Sequence, residues 1–276
     1  MGKADAVKYR LLIVDIDGTL VGRDGGISVE NKEAVIKAGR SGVQVVLSTG
    51  RVPRACLGIV RELLLDGYHI FFDGALVSDP EQEHEIYVHP LKKEVVKQAV
   101  EFARQNEIYL ELFSAIKYFV ERKTRATRIH GELMGIETTM VDFNEVWKRE
   151  AILKANLIVY SPEEATKAEK FRNHFRERFH FSVARSPAYP GVDFINVVDP
   201  QVSKGKALES LASHLGLPIS ETMAVGDGTN DISLLSTVGL AIAMDNAPDE
   251  VKRVADYITL DVDQNGLAAA IKKFLL

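Results

Sequence analysis

Cysteine is almost absent from this chain of 276 residues, whose single copy is Cys56. One cysteine cannot form an intrachain disulfide, so a secreted scaffold stapled by disulfides is excluded and a reducing cytoplasm is the simplest setting. We therefore expect a cytoplasmic protein in which Cys56 is a small buried side chain.

Long apolar runs are also missing. No stretch approaches the roughly 20 apolar residues that a membrane-spanning helix needs. Residues 1–6 lack the apolar run of a signal peptide, and Ala6 stands where a myristoylation motif needs serine or threonine. We expect a soluble protein with no membrane partner.

An excess of positive charge is absent as well. The 34 lysines and arginines are outnumbered by 39 aspartates and glutamates, which gives a formal net charge of −5. A domain that binds a nucleic-acid duplex normally presents a net basic face. The charge balance therefore argues against a nucleic-acid partner.

The first third of the chain alternates short apolar runs with helical patterns. Leu11–Val14, Val43–Leu47 and Tyr68–Phe72 are predicted strands, each followed by polar residues. One predicted helix begins after the N-cap Ser28, and a second runs through Leu64. A β-α-β-α-β order of this kind indicates a parallel sheet with both faces covered.

The pattern changes in the middle of the chain. The polar stretch from Ser78 to Pro90 is predicted to be a linker, and the segment beyond it has closely spaced strands and helices typical of an α+β unit. After Pro200 the first pattern returns, with a helix at Lys204–Leu215 and a strand at Thr222–Val225. We expect an α/β protein whose doubly wound, Rossmann-like parallel-sheet core (residues 1–82 and 191–276) is interrupted by an inserted α+β cap domain (residues 83–190).

Polar residues collect where the predicted parallel strands end. Four clusters stand out: Asp15-Ile16-Asp17-Gly18-Thr19, Ser48-Thr49-Gly50, the segment around Lys204, and Asp227-Gly228-Thr229-Asn230-Asp231. Ligands of open α/β sheets bind at the carboxyl ends of the strands. Several carboxylates converging on that edge repel one another unless a cation lies between them, and an all-oxygen site suits Mg²⁺.

Simpler explanations exist for each cluster. Asp17-Gly18 and Asp227-Gly228 could be ordinary turns, Thr49 could cap the helix that follows it, and Asp231 could be an N-cap. A dinucleotide-binding fingerprint at Gly226 fails, because Asp231 replaces its third glycine.

Together, these residues resemble the haloacid dehalogenase superfamily, and in particular its Cof-type branch of sugar-phosphatase-like hydrolases. The resemblance spans nearly the whole chain in four ordered motifs: Asp15-Ile16-Asp17-Gly18-Thr19-Leu20, Ser48-Thr49-Gly50-Arg51, Lys204 within Ser203-Lys204-Gly205, and Gly226-Asp227-Gly228-Thr229-Asn230-Asp231. The insert between the second and third motifs matches the position and size of that branch's cap.

The resemblance implies a role for each motif residue. Asp15 is the implied nucleophile, which forms an aspartyl-phosphate, and Asp17 the implied general acid and base. The implied Mg²⁺ ligands are Asp15, the backbone carbonyl of Asp17 and Asp227, with Asp231 holding metal-bound water. The groups implied to bind the phosphoryl oxygens are Thr49, Gly50, Lys204, Asn230 and the backbone amide of Ile16.

One position departs from the family pattern. The family usually has Asn-Gly-Ala after its third core strand, whereas this chain has Asp73-Gly74-Ala75. The added negative charge puts the usual contact with the leaving group in doubt. We expect Arg51, Asp73 and Asn246 to lie near the substrate.

The implied function is a Mg²⁺-dependent phosphatase that hydrolyses a small phosphorylated metabolite, with a sugar phosphate as the leading candidate. A phosphomutase of the same superfamily and a non-catalytic module that binds phosphate or metal remain as alternatives. A basic run from Arg122 to His130 either faces an anionic substrate or is a solvated surface. The sequence specifies neither the substrate nor the oligomeric state.

Overall fold

The structure, a computed structural model, describes residues 9–185 and 189–276, with only the backbone of Arg185. The chain forms two units. The first consists of residues 9–49, Leu57–Tyr87 and Ser203–Leu276, and the second of Gly50–Cys56 and Val88–Val202. The second unit is thus largely an insertion within the first.

The described strands are two to six residues long. They are β1 Leu11–Asp15, β2 Gln44–Ser48, β3 His69–Phe71, β4 Leu76–Asp79, β5 His84–Val88, β6 Glu111–Phe113, β7 Tyr118–Val120, β8 Thr138–Met140, β9 Lys154–Val159, β10 His180–Arg185, β11 Asp193–Val198, β12 Thr222–Gly226, β13 Leu240–Ala243 and β14 Tyr257–Ile258.

The α-helices of the described ranges are α1 Val29–Arg40, α2 Pro53–Glu62, α3 Lys93–Gln105, α4 Arg125–Met134, α5 Phe143–Arg149, α6 Pro162–Phe175, α7 Lys204–Leu215, α8 Ile232–Leu235, α9 Asp249–Lys252 and α10 Gly266–Phe274. The longest has 14 residues. Within residues 9–185 and 189–276, no helix has the length and apolar character needed to cross a membrane.

An eight-stranded sheet in the order β14-β13-β12-β1-β2-β3-β4-β5 forms the centre of the first unit. The pairings from β14 through β3 are parallel, and β4 runs antiparallel to β3. Every residue of β1 and β12 is buried, because these strands lie in the middle of a sheet covered on both faces. The predicted doubly wound α/β core is confirmed.

The predicted linker from Ser78 to Pro90 is wrong. This segment contains the end of β4 and all of β5, which together extend the core sheet on one side. β5 shows no apolar pattern because it is an edge strand whose five residues are exposed or half-buried.

A six-stranded sheet in the order β10-β11-β9-β6-β7-β8 forms the second unit together with α3 to α6. Its pairings are antiparallel except for the parallel pair β7–β8. Because β11 pairs with both β10 and β9, it belongs to this sheet. The long segment of this unit runs from Val88 to Val202, and the short segment Gly50–Cys56 also belongs to the unit.

Helix α7 has the predicted bounds and places Lys204 at its first position. The Ser203 side chain caps it by accepting a hydrogen bond from the Lys206 N–H. Gly205 then lets α7 pack closely against α8. A Cβ atom at Gly205 would lie 2.5 Å from the Ser233 carbonyl oxygen and 2.7 Å from Thr237 Oγ1.

We predict that Gly205→Ala destabilises the protein, although alanine is normally the better helix former. The added methyl group has no space against α8, and overpacking of this kind costs about 1–3 kcal/mol. Urea denaturation followed by circular dichroism measures the change in the free energy of unfolding.

Gly39→Ala in α1 is the matched control, because a Cβ atom there meets nothing within 4 Å. This variant should be neutral or more stable by up to about 1 kcal/mol. A Gly205→Ala variant as stable as the wild type would contradict the close approach of α7 to α8.

Candidate active site

Three parallel strands end at one edge of the core sheet. β1 lies between β12 and β2 and ends at Asp15, whose Cα pairs with that of Ser48 at the end of β2. β12 ends at Gly226, directly before Asp227. Since the strands run in the same direction, Asp15, Thr49 and Asp227 lie at the same edge.

The Lys204 side chain is fully buried beside this edge. Its Nζ donates hydrogen bonds to Asp15 Oδ1 and Asp231 Oδ1, each at 2.6 Å, and to the Ser48 carbonyl oxygen at 3.1 Å. Burial alone lowers the pKa of Lys204, but the charges of Asp15 and Asp231 outweigh burial and raise the pKa above its ordinary value. Lys204 therefore stays protonated and holds the two carboxylates together.

Asp231 is bonded through both carboxylate oxygens. While Oδ1 accepts from Lys204, Oδ2 accepts the backbone N–H groups of Asp227 at 3.1 Å and Gly228 at 2.9 Å. Its side chain makes no capping hydrogen bond to α8, so the simple N-cap alternative does not describe it. Asp231 instead shapes the turn that carries Asp227.

The acidic groups at this edge of the sheet repel one another. Burial and the repulsion of Asp231 raise the pKa of Asp15 well above its ordinary value, although Lys204 opposes the shift. Burial and Asp231 likewise raise the pKa of Asp227 to about 7. The edge thus holds more negative charge than Lys204 can balance.

These residues fit a divalent cation. One carboxylate oxygen each from Asp15, Asp227 and Asp231 lie within 4.8 Å of one another. An all-oxygen set suits a hard divalent ion, and such an ion would relieve the repulsion that raises the pKa of Asp15 and Asp227. Because Asp231 already accepts three hydrogen bonds, Asp15 and Asp227 have the greater capacity to bind the ion directly.

The Asp227 carboxylate lies directly against the first motif. A Cβ atom on Gly18, whose φ is +92°, would come within 2.3 Å of Asp227 Oδ2, so only glycine fits there. Thr19 Oγ1 donates to Asp227 Oδ1 at 3.0 Å. The sequence indicates no role for Thr19, because nothing in the motif shows that its hydroxyl reaches a residue so far along the chain.

Asp17 and Ile16 differ in exposure. The Asp17 side chain is exposed, whereas that of Ile16 is fully buried. The Ile16 carbonyl oxygen accepts the N–H groups of Leu20 at 3.0 Å and Val21 at 2.8 Å. These hydrogen bonds close a tight turn that contains Asp17.

Asp73 joins the site through two elements. It follows β3 with a left-handed φ of +56°, and its N–H donates to the Thr49 carbonyl oxygen at 3.0 Å. Asn230 Nδ2 donates to Asp73 Oδ1 at 2.9 Å, and the Asp73 side chain is buried. The charge of Asp73 also raises the pKa of Lys204. Asp73 therefore adds a further negative charge to the edge.

The second predicted motif is divided between the units. Thr49 belongs to the first unit and is buried, and it is not the N-cap of α2, which begins at Pro53. Gly50 and Arg51 belong to the second unit. There the buried Lys154 donates through Nζ to the Gly50 carbonyl oxygen at 3.1 Å, a contact that no sequence pattern signals.

The basic run from Arg122 to His130 is mostly surface. Arg122, Arg125 and Arg128 are exposed, but His130 is buried and contacts Glu111, with 2.5 Å between His130 Nδ1 and Glu111 Oε2. His130 thus belongs to the interior of the second unit and not to a basic face.

Comparison with known proteins identifies the family of this chain. A sequence profile of haloacid dehalogenase-like hydrolases matches residues 12–271. Phosphatase YwpJ of Bacillus subtilis (strain 168) is 28% identical over 292 residues, and the alignment covers 96% of this chain and 100% of that protein.

Two solved structures show the same fold. A haloacid dehalogenase-like hydrolase from Bacteroides thetaiotaomicron matches with a TM-score of 0.81 at 26% identity, covering 96% of this chain and 99% of that chain. The subclass IIB sugar phosphatase BT4131 matches with a TM-score of 0.77 at 27% identity, also covering 96% and 99%. The chain therefore belongs to the haloacid dehalogenase-like hydrolases, in the Cof-type branch that its four motifs resemble.

Proposed function

We propose that this chain is a Mg²⁺-dependent phosphatase that hydrolyses a small phosphorylated metabolite, a sugar phosphate, with Asp15 as its nucleophile. One observation carries the proposal. Asp15 at the end of β1 is bonded to the fully buried Lys204 and lies beside Asp227 and Asp231. Nucleophile, cation ligands and a counter-charge for phosphate are thus next to one another.

The first step is attack by an Asp15 carboxylate oxygen on the phosphorus atom. The bond between phosphorus and the leaving oxygen breaks, and Asp17 gives that oxygen its proton. The product is an aspartyl-phosphate on Asp15. The hydrogen bond from Lys204 to Asp15 Oδ1 fixes the direction of the carboxylate, which favours attack in line with the leaving group.

The second step is hydrolysis of the aspartyl-phosphate. The Asp17 carboxylate takes a proton from water, whose oxygen attacks phosphorus and displaces the Asp15 carboxylate to release inorganic phosphate. The exposed position of Asp17 is suited to contact with both the leaving group and water. When bound, Mg²⁺ supplies charge neutralisation at the phosphoryl oxygens, and Asp15, the Asp17 carbonyl and Asp227 hold it.

The remaining motif residues bind the phosphoryl group. Thr49, Gly50, Asn230 and the amide of Ile16 donate hydrogen bonds to its oxygens, and Lys204 contributes positive charge. One amide hydrogen of Asn230 is engaged by Asp73, and the same nitrogen has a second hydrogen to donate to a phosphoryl oxygen. The similarity to a sugar phosphatase supports a sugar phosphate as the substrate.

We predict that Asp15→Asn abolishes turnover, because the amide cannot form the aspartyl-phosphate. The expected loss is about 10³-fold or more in kcat. Phosphate release from p-nitrophenyl phosphate in the presence of Mg²⁺ measures it. Asp245→Asn, which changes an exposed aspartate of the same unit, is the control and should retain full activity.

Activity retained in Asp15→Asn would rule out Asp15 as the nucleophile. A phosphomutase would instead interconvert phosphate isomers of a sugar while releasing little phosphate. A binding module would release none from any substrate.

Removal of divalent ions should stop the reaction, because Lys204 alone cannot balance the acidic groups around Asp15. We expect EDTA to abolish p-nitrophenyl phosphate hydrolysis and excess Mg²⁺ to restore it. EDTA saturated beforehand with Mg²⁺ is the control and should have no effect. Full activity of the EDTA-treated, dialysed protein would refute the role of the cation.

We predict that Asp73→Asn strengthens binding of the phosphate dianion by removing a buried negative charge beside Asn230. Asparagine tolerates the left-handed backbone of this position, so the fold should be retained. A reduction in repulsion on the order of 1 kcal/mol corresponds to an inhibition constant for inorganic phosphate about fivefold lower.

Competitive inhibition of p-nitrophenyl phosphate hydrolysis measures this constant. Asp66→Asn is the matched control, because Asp66 also precedes a glycine but is exposed. An inhibition constant unchanged in Asp73→Asn would show that the charge of Asp73 does not reach the phosphate.

A further inference from the structure

Asn246 connects three distant parts of the first unit. It follows β13, and its side chain is half-buried. Its Nδ2 donates to the Gly18 carbonyl oxygen at 2.9 Å and to Asp227 Oδ2 at 3.1 Å, while its Oδ1 accepts the Val262 N–H at 2.9 Å. The amide thus joins the first motif, the fourth motif and the segment before α10.

The direction of this amide is determined by its partners. The Val262 N–H is a donor, so it must face Oδ1, and the Gly18 carbonyl is an acceptor, so it must face Nδ2. A flipped amide would oppose like groups at both positions. Both Nδ2 hydrogens therefore have acceptors, and one of them is the Asp227 carboxylate.

The Asp227 carboxylate is consequently held at both oxygens. Thr19 Oγ1 donates to Oδ1 at 3.0 Å, and Asn246 Nδ2 donates to Oδ2 at 3.1 Å. Each oxygen keeps a further lone pair, and rotation of the carboxylate about its last bond would break both hydrogen bonds. Partners of this kind orient metal ligands, and their loss typically weakens metal binding.

The segment around Val262, whose N–H donates to Asn246, is held in place by ion pairs. Val262 lies between Asp261 and Asp263, which both pair with Arg23 in the loop after the first motif. Arg23 donates to the two oxygens of Asp261 at 3.1 and 2.8 Å, and it also bonds Asp263. The pairs are exposed and individually weak, but together they hold the Val262 N–H near the site.

We propose that Asn246 is a positioning residue that orients the Asp227 carboxylate and thereby sets the affinity of the site for its divalent cation. The inference rests on the cation site of the proposed function. The proposed role of Asn246 differs from direct contact with the substrate, since both ends of its side-chain amide are bonded within the protein.

The test is Mn²⁺ binding to Asn246→Ala, measured by electron paramagnetic resonance of the free ion, with no substrate present. The dissociation constant should rise about 10- to 100-fold. At saturating Mg²⁺, KM for p-nitrophenyl phosphate should stay within about twofold of the wild-type value, since Asn246 does not contact substrate. Asn106→Ala, which removes a half-buried amide bonded to the Phe102 carbonyl in the second unit, is the control.

Asn246→Ser is the second variant. The serine side chain is too short for its hydroxyl to reach Asp227, but it leaves less empty space than alanine does. This variant should also raise the dissociation constant for Mn²⁺. Circular dichroism and thermal unfolding in EDTA establish that each variant is folded. Failure of both variants to fold would assign Asn246 a purely structural role and overturn the proposal.

The outcomes separate this inference from the proposed function. Wild-type protein that binds no Mn²⁺ would remove the cation site itself. Wild-type protein that binds Mn²⁺, with both folded variants binding it equally well, would leave the proposed phosphatase intact and refute the role of Asn246. A raised KM with unchanged Mn²⁺ affinity would show a substrate contact and equally refute it.

Discussion

The buried pairing of Lys204 with Asp15 and Asp231 is the interaction on which the site depends. Moving an ammonium group and two carboxylates out of water costs a large desolvation free energy. Their mutual attraction and hydrogen bonds compensate this cost only when the partners are in place. The Ser48 carbonyl oxygen supplies a third acceptor for Nζ. Three of the ordered motifs therefore meet at Lys204, and removal of this lysine would leave two buried carboxylates with no counter-charge from a side chain.

The same constraint explains why so many neighbouring groups are hydrogen-bond donors to carboxylates. Asp231 accepts two backbone N–H groups, Asp227 accepts from Thr19 and Asn246, and Asp73 accepts from Asn230. Each donor lowers the free energy of a charged carboxylate in a poorly hydrated place without adding full positive charge. The net negative charge that remains is what a divalent cation bound at this edge would offset.

The core strands and the acidic clusters could be predicted because both have local sequence signals. A central parallel strand is a continuous apolar run, and carboxylates at its end interrupt that run sharply, as at Val14–Asp15. β5 could not be predicted in this way, since an exposed edge strand has no apolar period. The contacts of Asn246 with Gly18 and Val262 depend on tertiary structure, and no local pattern encodes which way a half-buried amide faces. The pairing of Lys154 with Gly50 is hidden for the same reason.

The complete burial of Lys204 has a consequence for chemical labelling. Reagents that acylate lysine need an exposed, transiently neutral amine, and Lys204 offers neither, because it has no accessible surface and its pKa is raised. Lys123 and Lys206, by comparison, are exposed and therefore accessible to such reagents. Acylation of Lys204 thus requires that the sheet edge open, which makes this lysine an internal reporter of local unfolding at the active site.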